Sequence, residues 1–462
     1  MSDVPARPTA FVLAAGLGTR MRSRTCKVLH TAAGTPLLTL TLETVEAAGA
    51  RPVVVLSRDS EAARAVLPEG ARVVMQDPPL GTGDAMRVAL EASPDAAGRC
   101  FIVYGDTVLL RAETLGRLET LRAERGAVLA LLTGAVGTDN AYGRIVRDAR
   151  GDVERIVEAR LATADEQRLP ESTFGAYAAD LTWLRSAVPL LEANETGEVF
   201  LTDLVAVARR QGRTVGALCT EDPSEGLGVN TRAELAAVEG ILRRRIRERH
   251  MEQGVTFRDP DSSLVEAQVE IAADVVVERG SILEGRTRIG TGTRIGPYAI
   301  VRDSRVGERC RVEASVIEGA TLEDDVRIGP YSHLRPGAYL ERGVEMGNFG
   351  EVKASRLGAG TKMHHFSYVG DATLGRNVNV GAGTITLNYD GARKNQTEIG
   401  DDVFIGSDTL LRAPVKVGRG AATGAGAVVT KDVPEGMLAV GMPARAIKRY
   451  VRPTKDGGQK TG

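Results

Sequence analysis

The first residues able to do chemistry follow the apolar run Phe11–Ala14, where the chain reads AAGLGTRM and supplies Arg20 and then Lys27. Small residues let backbone N–H groups close on phosphate oxygens, and two cations neutralise a triphosphate. The same loop is equally compatible with a plain tight turn. A second apolar run, Phe101–Tyr104, ends in Gly105-Asp106, which puts a carboxylate at the carboxyl end of a strand, where α/β sheets bind ligands. Asp106 is then either a hard oxygen ligand for Mg²⁺ on nucleotide phosphates or the cap of a turn. Asn230, in LGVN, offers a second oxygen or else the N-cap of the helix that follows. Far along the chain, His364 and His365 are adjacent, although the sequence holds only five histidines. Imidazole titrates near working pH and suits a general base, whereas a surface position is the alternative, expected of His364.

The elements that must position these groups fall into two kinds. At 462 residues the chain exceeds what one hydrophobic core usually supports, so at least two domains are expected. Up to about Asn230, strand-like runs (Ala10–Ala14, Val53–Leu56, Val73–Met75, Phe101–Tyr104, Val128–Thr133) alternate with amphipathic stretches such as Leu37–Ala48. This alternation predicts a doubly wound, Rossmann-like α/β domain over residues 1–230. Residues 231–253 combine helical apolar spacing with dense arginine, which predicts a solvated linker helix ended by Gly254.

From 254 onward the period changes. Leu322, Ile328, Leu334, Leu340, Met346 and Val352 recur every six residues, as do Ile399, Ile405, Leu411, Val417 and Val429. A period of six marks a parallel β-helix, in which each short strand turns one aliphatic side chain inward. Between Val380 and Ile399 the spacing breaks, so an excursion from the coil is expected there. The 53 glycines and the aromatic content of 4% agree with many tight turns around an aliphatic core.

Composition excludes other classes. Lys+Arg of 59 against Asp+Glu of 60 gives no bulk positive charge for nucleic acid. No stretch reaches the roughly 20 apolar residues of a membrane helix. The start, with Asp3 and two prolines before an interrupted apolar run, does not read as a signal peptide. Cys26, Cys100, Cys219 and Cys310 lack disulfide or metal spacing and read as free thiols of a reducing compartment. A soluble, cytoplasmic protein is expected.

Several motifs come in a family's order. LAAGLGTRM, KVLH from Lys27, QDPPLGTGDAM from Gln76, YGD ending at Asp106, AYGRI around Gly143, IVEA at Glu158 and GVN at Asn230 resemble N-acetylglucosamine-1-phosphate uridylyltransferases. The resemblance implies that Arg20 and Lys27 hold phosphates in a catalytic role and that Leu13, Ala14, Gly16, Gln76, Gly81 and Thr82 bind the nucleotide. It implies Tyr104, Gly143, Glu158, Thr173 and Asn230 at the sugar, and Asp106 and Asn230 at Mg²⁺. The sugar phosphate, already an anion, would attack the α-phosphorus of UTP in line, so positioning and charge neutralisation would carry catalysis.

HLRPGA at His333, NFGEVKASRLG through Lys353, HHFSYVGDA, NVNVGAGTITLNYDG and DDVFIGSDT resemble the glucosamine-1-phosphate acetyltransferase half of the same bifunctional family. That half implies a left-handed β-helix of hexapeptide repeats over residues 254–462, with His365 as general base. It places Arg335, Lys353, Tyr368, Asn379, Asn388 and Tyr389 at the amino-sugar phosphate and Ala382, Ser407 and Ala425 at acetyl-CoA; small residues there are equally plain coil corners. Homotrimers are the habit of this fold.

Thr173-Phe174-Gly175 stands where the family usually has Asn-Thr-Gly or Asn-Ser-Gly. This departure bears on the acceptor sugar and lends weight to a second reading, a sugar-1-phosphate nucleotidylyltransferase whose β-helix regulates or assembles. A third reading, a non-catalytic scaffold, has no use for Arg20, Lys27 and Asp106 together.

Overall fold

The computed structural model describes residues 7–137 and 140–450, and the chain divides into two compact units, residues 1–242 and 243–462. In the first unit the strand Thr9–Leu13 lies at the centre of the sheet. It pairs in parallel with Arg51–Leu56 on one side and Arg99–Tyr104 on the other. Its alternating side chains feed two separate cores: Phe11 and Leu13 join one, Ala10 and Val12 the other. Both faces of the sheet are therefore covered, which is why these strands read as unbroken apolar runs. Helices Leu37–Ala47, Thr82–Glu91 and Ala112–Glu124 connect the strands.

The path across the sheet runs Val215–Cys219, Leu129–Ala135, Glu171–Asp180, Arg99–Tyr104, Thr9–Leu13, Arg51–Leu56, Arg72–Met75, with the hairpin Arg144–Arg147/Val153–Val157 beside Glu171–Asp180. Glu171–Asp180 runs antiparallel to both neighbours. The sheet is mixed, and this strand carries Thr173 and Gly175. The sequence reading did not anticipate it, because its small residues (TFGAYAA) lack the β-branched character that marks a strand locally.

The helix Arg232–Glu252 begins with a capping box: Thr231 Oγ1 accepts from Glu234 N at 3.1 Å, and Glu234 Oε2 accepts from Thr231 N at 2.7 Å.

In the second unit, short strands stack into three sheets of 12, 10 and 9 strands, in which parallel strands pair with the third one before and after them until the 12-stranded sheet ends in the antiparallel pair Met437–Gly441/Ala444–Arg449. This is a three-sided β-helix, and it agrees with the left-handed hexapeptide-repeat form expected from sequence. The six-residue series is the interior: Leu322, Ile328, Leu334, Leu340, Met346 and Val352 are all at most 2% exposed. Coils close so tightly at some corners that only glycine fits, since a Cβ on Gly347 would meet the His364 carbonyl oxygen at 2.0 Å. The break after Val380 is one local excursion: strand Ile385–Leu387 leads into a loop that rejoins the coil at Thr397–Ile399.

Candidate active sites

At the carboxyl end of Thr9–Leu13, Ala14 N donates to Val55 O at 2.9 Å and Gly105 N to Leu13 O at 3.0 Å, so the glycine loop and the Asp106 turn leave the sheet side by side. Leu13 and Ala14 are buried, Gly16 is exposed, and Gly18 takes φ +62°. A side chain at Gly18 would collide with Lys27 Cβ at 2.6 Å; glycine is what allows Lys27 to close over the loop. Arg20 is exposed, and among the described residues no carboxylate pairs with it.

Lys27 Nζ donates to Asp106 Oδ2 at 2.5 Å and to Asn230 Oδ1 at 3.2 Å. Two oxygens from segments far apart in sequence thus converge on one cation. Both alternative roles fall away here: Thr231, not Asn230, caps the helix, and Asp106 spends its carboxylate on an ammonium rather than on a turn. Two hard oxygen donors beside a phosphate-type loop suit Mg²⁺, which keeps waters and substrate oxygens in its remaining positions. No cluster of three or more His, Cys, Asp or Glu able to cage a metal exists among the described residues.

Gln76 is buried at the end of Arg72–Met75, its N–H on Leu56 O. Its amide nitrogen donates to Gly81 O at 2.9 Å and to Asp84 Oδ2 at 2.8 Å. Thr82 Oγ1 is engaged by the backbone, accepting from Leu201 N at 3.0 Å. Gly143 O accepts from Thr173 N at 2.9 Å, and the Thr173 side chain is buried. The ring of Tyr104 fills the space left by Gly175. Burial raises the Glu158 carboxyl above the ordinary range, while Thr202 Oγ1 donates to it at 2.9 Å and opposes the shift. Phe174, at the family's Thr or Ser position, lies buried where Cβ atoms on Gly134 and Gly226 would strike its ring.

In the second unit, Lys353 and Tyr368 lie on neighbouring strands of the 10-stranded sheet, and Arg335 directly follows its strand His333–Leu334. Asn388 Nδ2 donates to Tyr368 Oη at 3.3 Å and to Asp371. Arg335 donates to Glu351 Oε1 at 2.8 Å. The excursion loop folds back through a Tyr389–Lys394 bridge and sets Lys394 beside Lys353, whose pKa is lowered by the side-chain hydrogen bond to Lys394 and then by its charge. Asp390 organises that loop by accepting from Ala392 N and Arg393 N, which holds its own pKa at about 2. Asn379 stands apart, on the 12-stranded sheet.

His364 Nε2 pairs with Glu345 at 2.9 Å, as a surface histidine would. His365 is exposed, and among the described residues no hydrogen bond or ion pair holds its ring. Backbone bonds Gly383 N→Phe366 O, Asp408 N→Ala382 O and Gly426 N→Ser407 O tie successive corners together. His365, Ala382, Ser407 and Ala425 therefore form a column along one edge of the coil.

Three interacting residues escaped sequence reasoning. Asp84 lies within QDPPLGTGDAM but was given no role, Thr202 lies in no quoted motif, and Glu351 is the second residue of GEVK, read only for its lysine. Lys394 was visible as a cation inside the excursion, but nothing local says that the loop returns it to Lys353.

Residues 10–169 match the MobA-like NTP transferase domain family, and residues 396–431 match the bacterial transferase hexapeptide family of six repeats. Among curated relatives, the bifunctional protein GlmU of Alkalilimnicola ehrlichii is 45% identical over 97% of this chain and 96% of its own length. That of Rubrobacter xylanophilus is 46% identical over 95% and 94%, and that of Heliobacterium modesticaldum 42% over 98% and 99%. With end-to-end similarity at this level and both domain types present, the chain belongs to the bifunctional GlmU family.

Proposed function

We infer that the two units carry out consecutive steps of UDP-N-acetylglucosamine synthesis: acetyl transfer from acetyl-CoA to glucosamine-1-phosphate, then uridylyl transfer from UTP to N-acetylglucosamine-1-phosphate. Family membership supports the pair of activities, a uridylyltransferase and an N-acetyltransferase. The observation that carries the reading within this chain is the coexistence of two chemically distinct polar clusters, one built on Lys27, Asp106 and Asn230 and one on Lys353, Tyr368 and the His365 column.

In the uridylyl step, a phosphate oxygen of the sugar forms a bond to the α-phosphorus of UTP while the bond to the β-phosphate breaks and pyrophosphate leaves. Asp106 and Asn230 would hold Mg²⁺, whose chemistry here is charge neutralisation on the phosphates. Lys27, once its two oxygen partners serve the metal, turns to phosphate oxygens together with Arg20 and the glycine loop of Leu13, Ala14 and Gly16. Gln76, Gly81 and Thr82 take the base end. Tyr104, Gly143, Glu158, Thr173 and Asn230 line the sugar.

In the acetyl step, the sugar amine attacks the thioester carbonyl, the C–S bond breaks, and CoA leaves as its thiol. His365, exposed and unpaired among the described residues, takes the amine proton. Arg335 and Lys353 hold the phosphate; Tyr368, Asn379, Asn388 and Tyr389 hold the ring. The small residues Ala382, Ser407 and Ala425 continue the His365 column, which supports a groove where pantetheine lies with its thioester next to the base.

No helix among the described residues is long and apolar enough to cross a membrane. We place the enzyme in the cytoplasm, with small-molecule substrates as its partners. The expected homotrimer rests on the habit of hexapeptide-repeat coils, and Tyr331 and Phe349, which stack at 5.7 Å on successive coils and stay 63% and 62% exposed, offer aromatic surface to a neighbouring chain. Aromatic surface of this kind is usually covered. Native mass spectrometry should give three chains per particle, and a monomer would refute it.

The decisive experiment is product analysis by mass spectrometry, with acetyl-CoA, UTP and glucosamine-1-phosphate supplied together and UTP supplied with N-acetylglucosamine-1-phosphate or glucose-1-phosphate. UDP-N-acetylglucosamine is expected in the first two mixtures. A preference for glucose-1-phosphate without CoA release would select the single-activity reading, to which Thr173 lends weight.

A further inference from the structure

Asp84 has no place in the chemistry above, yet it is a carboxylate only 7% exposed and pointed at Gln76. Two donors meet it. Gln76 Nε2 lies 2.8 Å from Oδ2, and Arg87 donates to Oδ1 through Nε at 3.0 Å and through a terminal nitrogen at 2.6 Å. Both arginine contacts fall on Oδ1, so the guanidinium anchors one carboxylate oxygen and leaves Oδ2 to Gln76. A charged carboxylate only accepts hydrogen bonds, and so does the Gly81 carbonyl, the other group at Gln76 Nε2, at 2.9 Å.

The orientation of the Gln76 amide is therefore decided by chemistry. Both neighbours on one side are pure acceptors, so the –NH₂ end must face them, and a rotated amide would set its oxygen against a carboxylate and a carbonyl. Both amide hydrogens are spent inside the protein. The carbonyl oxygen Oε1 has no partner among the described residues. To any base docked against it, Gln76 offers an acceptor and never a donor.

We propose that Asp84 is the positioning residue for nucleobase selection: by locking the Gln76 amide it makes the site demand a hydrogen-bond donor, which uracil supplies at N3–H and cytosine, in the same pose, does not. The inference rests on the uridylyl-transfer reading. Uracil's pairing edge has one donor, N3–H, flanked by two carbonyl acceptors. In cytosine N3 carries a lone pair, so CTP would set acceptor against acceptor in a buried position, a mismatch that costs about tenfold or more in binding. Arg87 acts one step further back by holding Asp84.

The test compares UTP and CTP as donors with N-acetylglucosamine-1-phosphate, using the full-length protein and kcat/KM for pyrophosphate release. In Asp84→Asn, residue 84 becomes an amide that either accepts from Gln76 or donates to it, so the Gly81 carbonyl alone still holds the Gln76 orientation. The UTP:CTP ratio should fall several-fold, up to about tenfold, through loss with UTP and gain with CTP. Asp84→Glu keeps a pure acceptor and should retain the wild-type ratio even where its rates drop. Asp84→Ala, which leaves one amide hydrogen unheld, should move in the direction of Asp84→Asn and serves if the latter does not fold.

A ratio unchanged in folded Asp84→Asn or Asp84→Ala overturns the proposal, as does an equal fall in Asp84→Glu, because a merely structural carboxylate would scale both nucleotides together. Wild-type protein that releases no pyrophosphate from UTP with any sugar phosphate overturns instead the functional reading beneath it, so the two failures are distinct.

Discussion

Asp106→Ala should lower pyrophosphate release from UTP about a thousandfold while CoA release from acetyl-CoA stays near wild type. Among the described residues the carboxylate is the only anionic partner of Lys27, at 2.5 Å, and it is 8% exposed, so water does not replace it freely. Its removal leaves Asn230 Oδ1, a neutral oxygen at 3.2 Å from Lys27, as the remaining hard donor. A divalent cation held by one neutral ligand and substrate phosphates is held poorly, and the charge that builds on departing pyrophosphate loses its main counterweight. Both rates should be read on one preparation, since the two sites belong to separately compact units. Equal loss of both activities, or an unchanged pyrophosphate rate, would sink the two-site account.

The second large effect lies at the other site. His365→Ala should reduce CoA thiol release by about 10²–10⁴-fold, the range that a positioned general base contributes, with pyrophosphate release from UTP unaffected. The neighbouring residue supplies the control. His364 is tied to Glu345 at 2.9 Å and lies outside the column of His365, Ala382, Ser407 and Ala425, so His364→Ala should remain within a few-fold of wild type. If His364→Ala proved the more damaging substitution, the assignment of the base would be reversed. If neither mattered, the column that His365 shares with Ala382, Ser407 and Ala425 would be scaffold alone.

These outcomes bear on how function was distributed along the chain. Where a signal is local, the sequence carries it fully. The strand Thr9–Leu13 and the helix Leu37–Ala47 lie within a residue of where apolar runs and helical spacing put them. Inward side chains every six residues leave a β-helix as the natural solution, and Leu334 and Leu340 are indeed fully buried. Gly18 and Lys27 belong to one short loop, so their mutual fit was also implicit in the order of residues.

What the tertiary structure alone decided is which distant groups meet and in what protonic sense. Lys27 and Asn230 are 203 residues apart, and no periodicity relates them; the loop crossings of the sheet bring them within 3.2 Å. The same holds for the antiparallel strand Glu171–Asp180, whose place between two others depends on pairing partners rather than on its own composition. Cap and ligand were indistinguishable roles for Asn230 until Thr231 and Glu234 took the cap. The orientation of the Gln76 amide is of this kind too: it follows from two acceptors, Gly81 O and Asp84 Oδ2, converging on one nitrogen. A sequence records which groups exist and how locally spaced ones turn, because those follow from backbone geometry; it is silent on long-range convergence, because that is settled by packing over the whole unit.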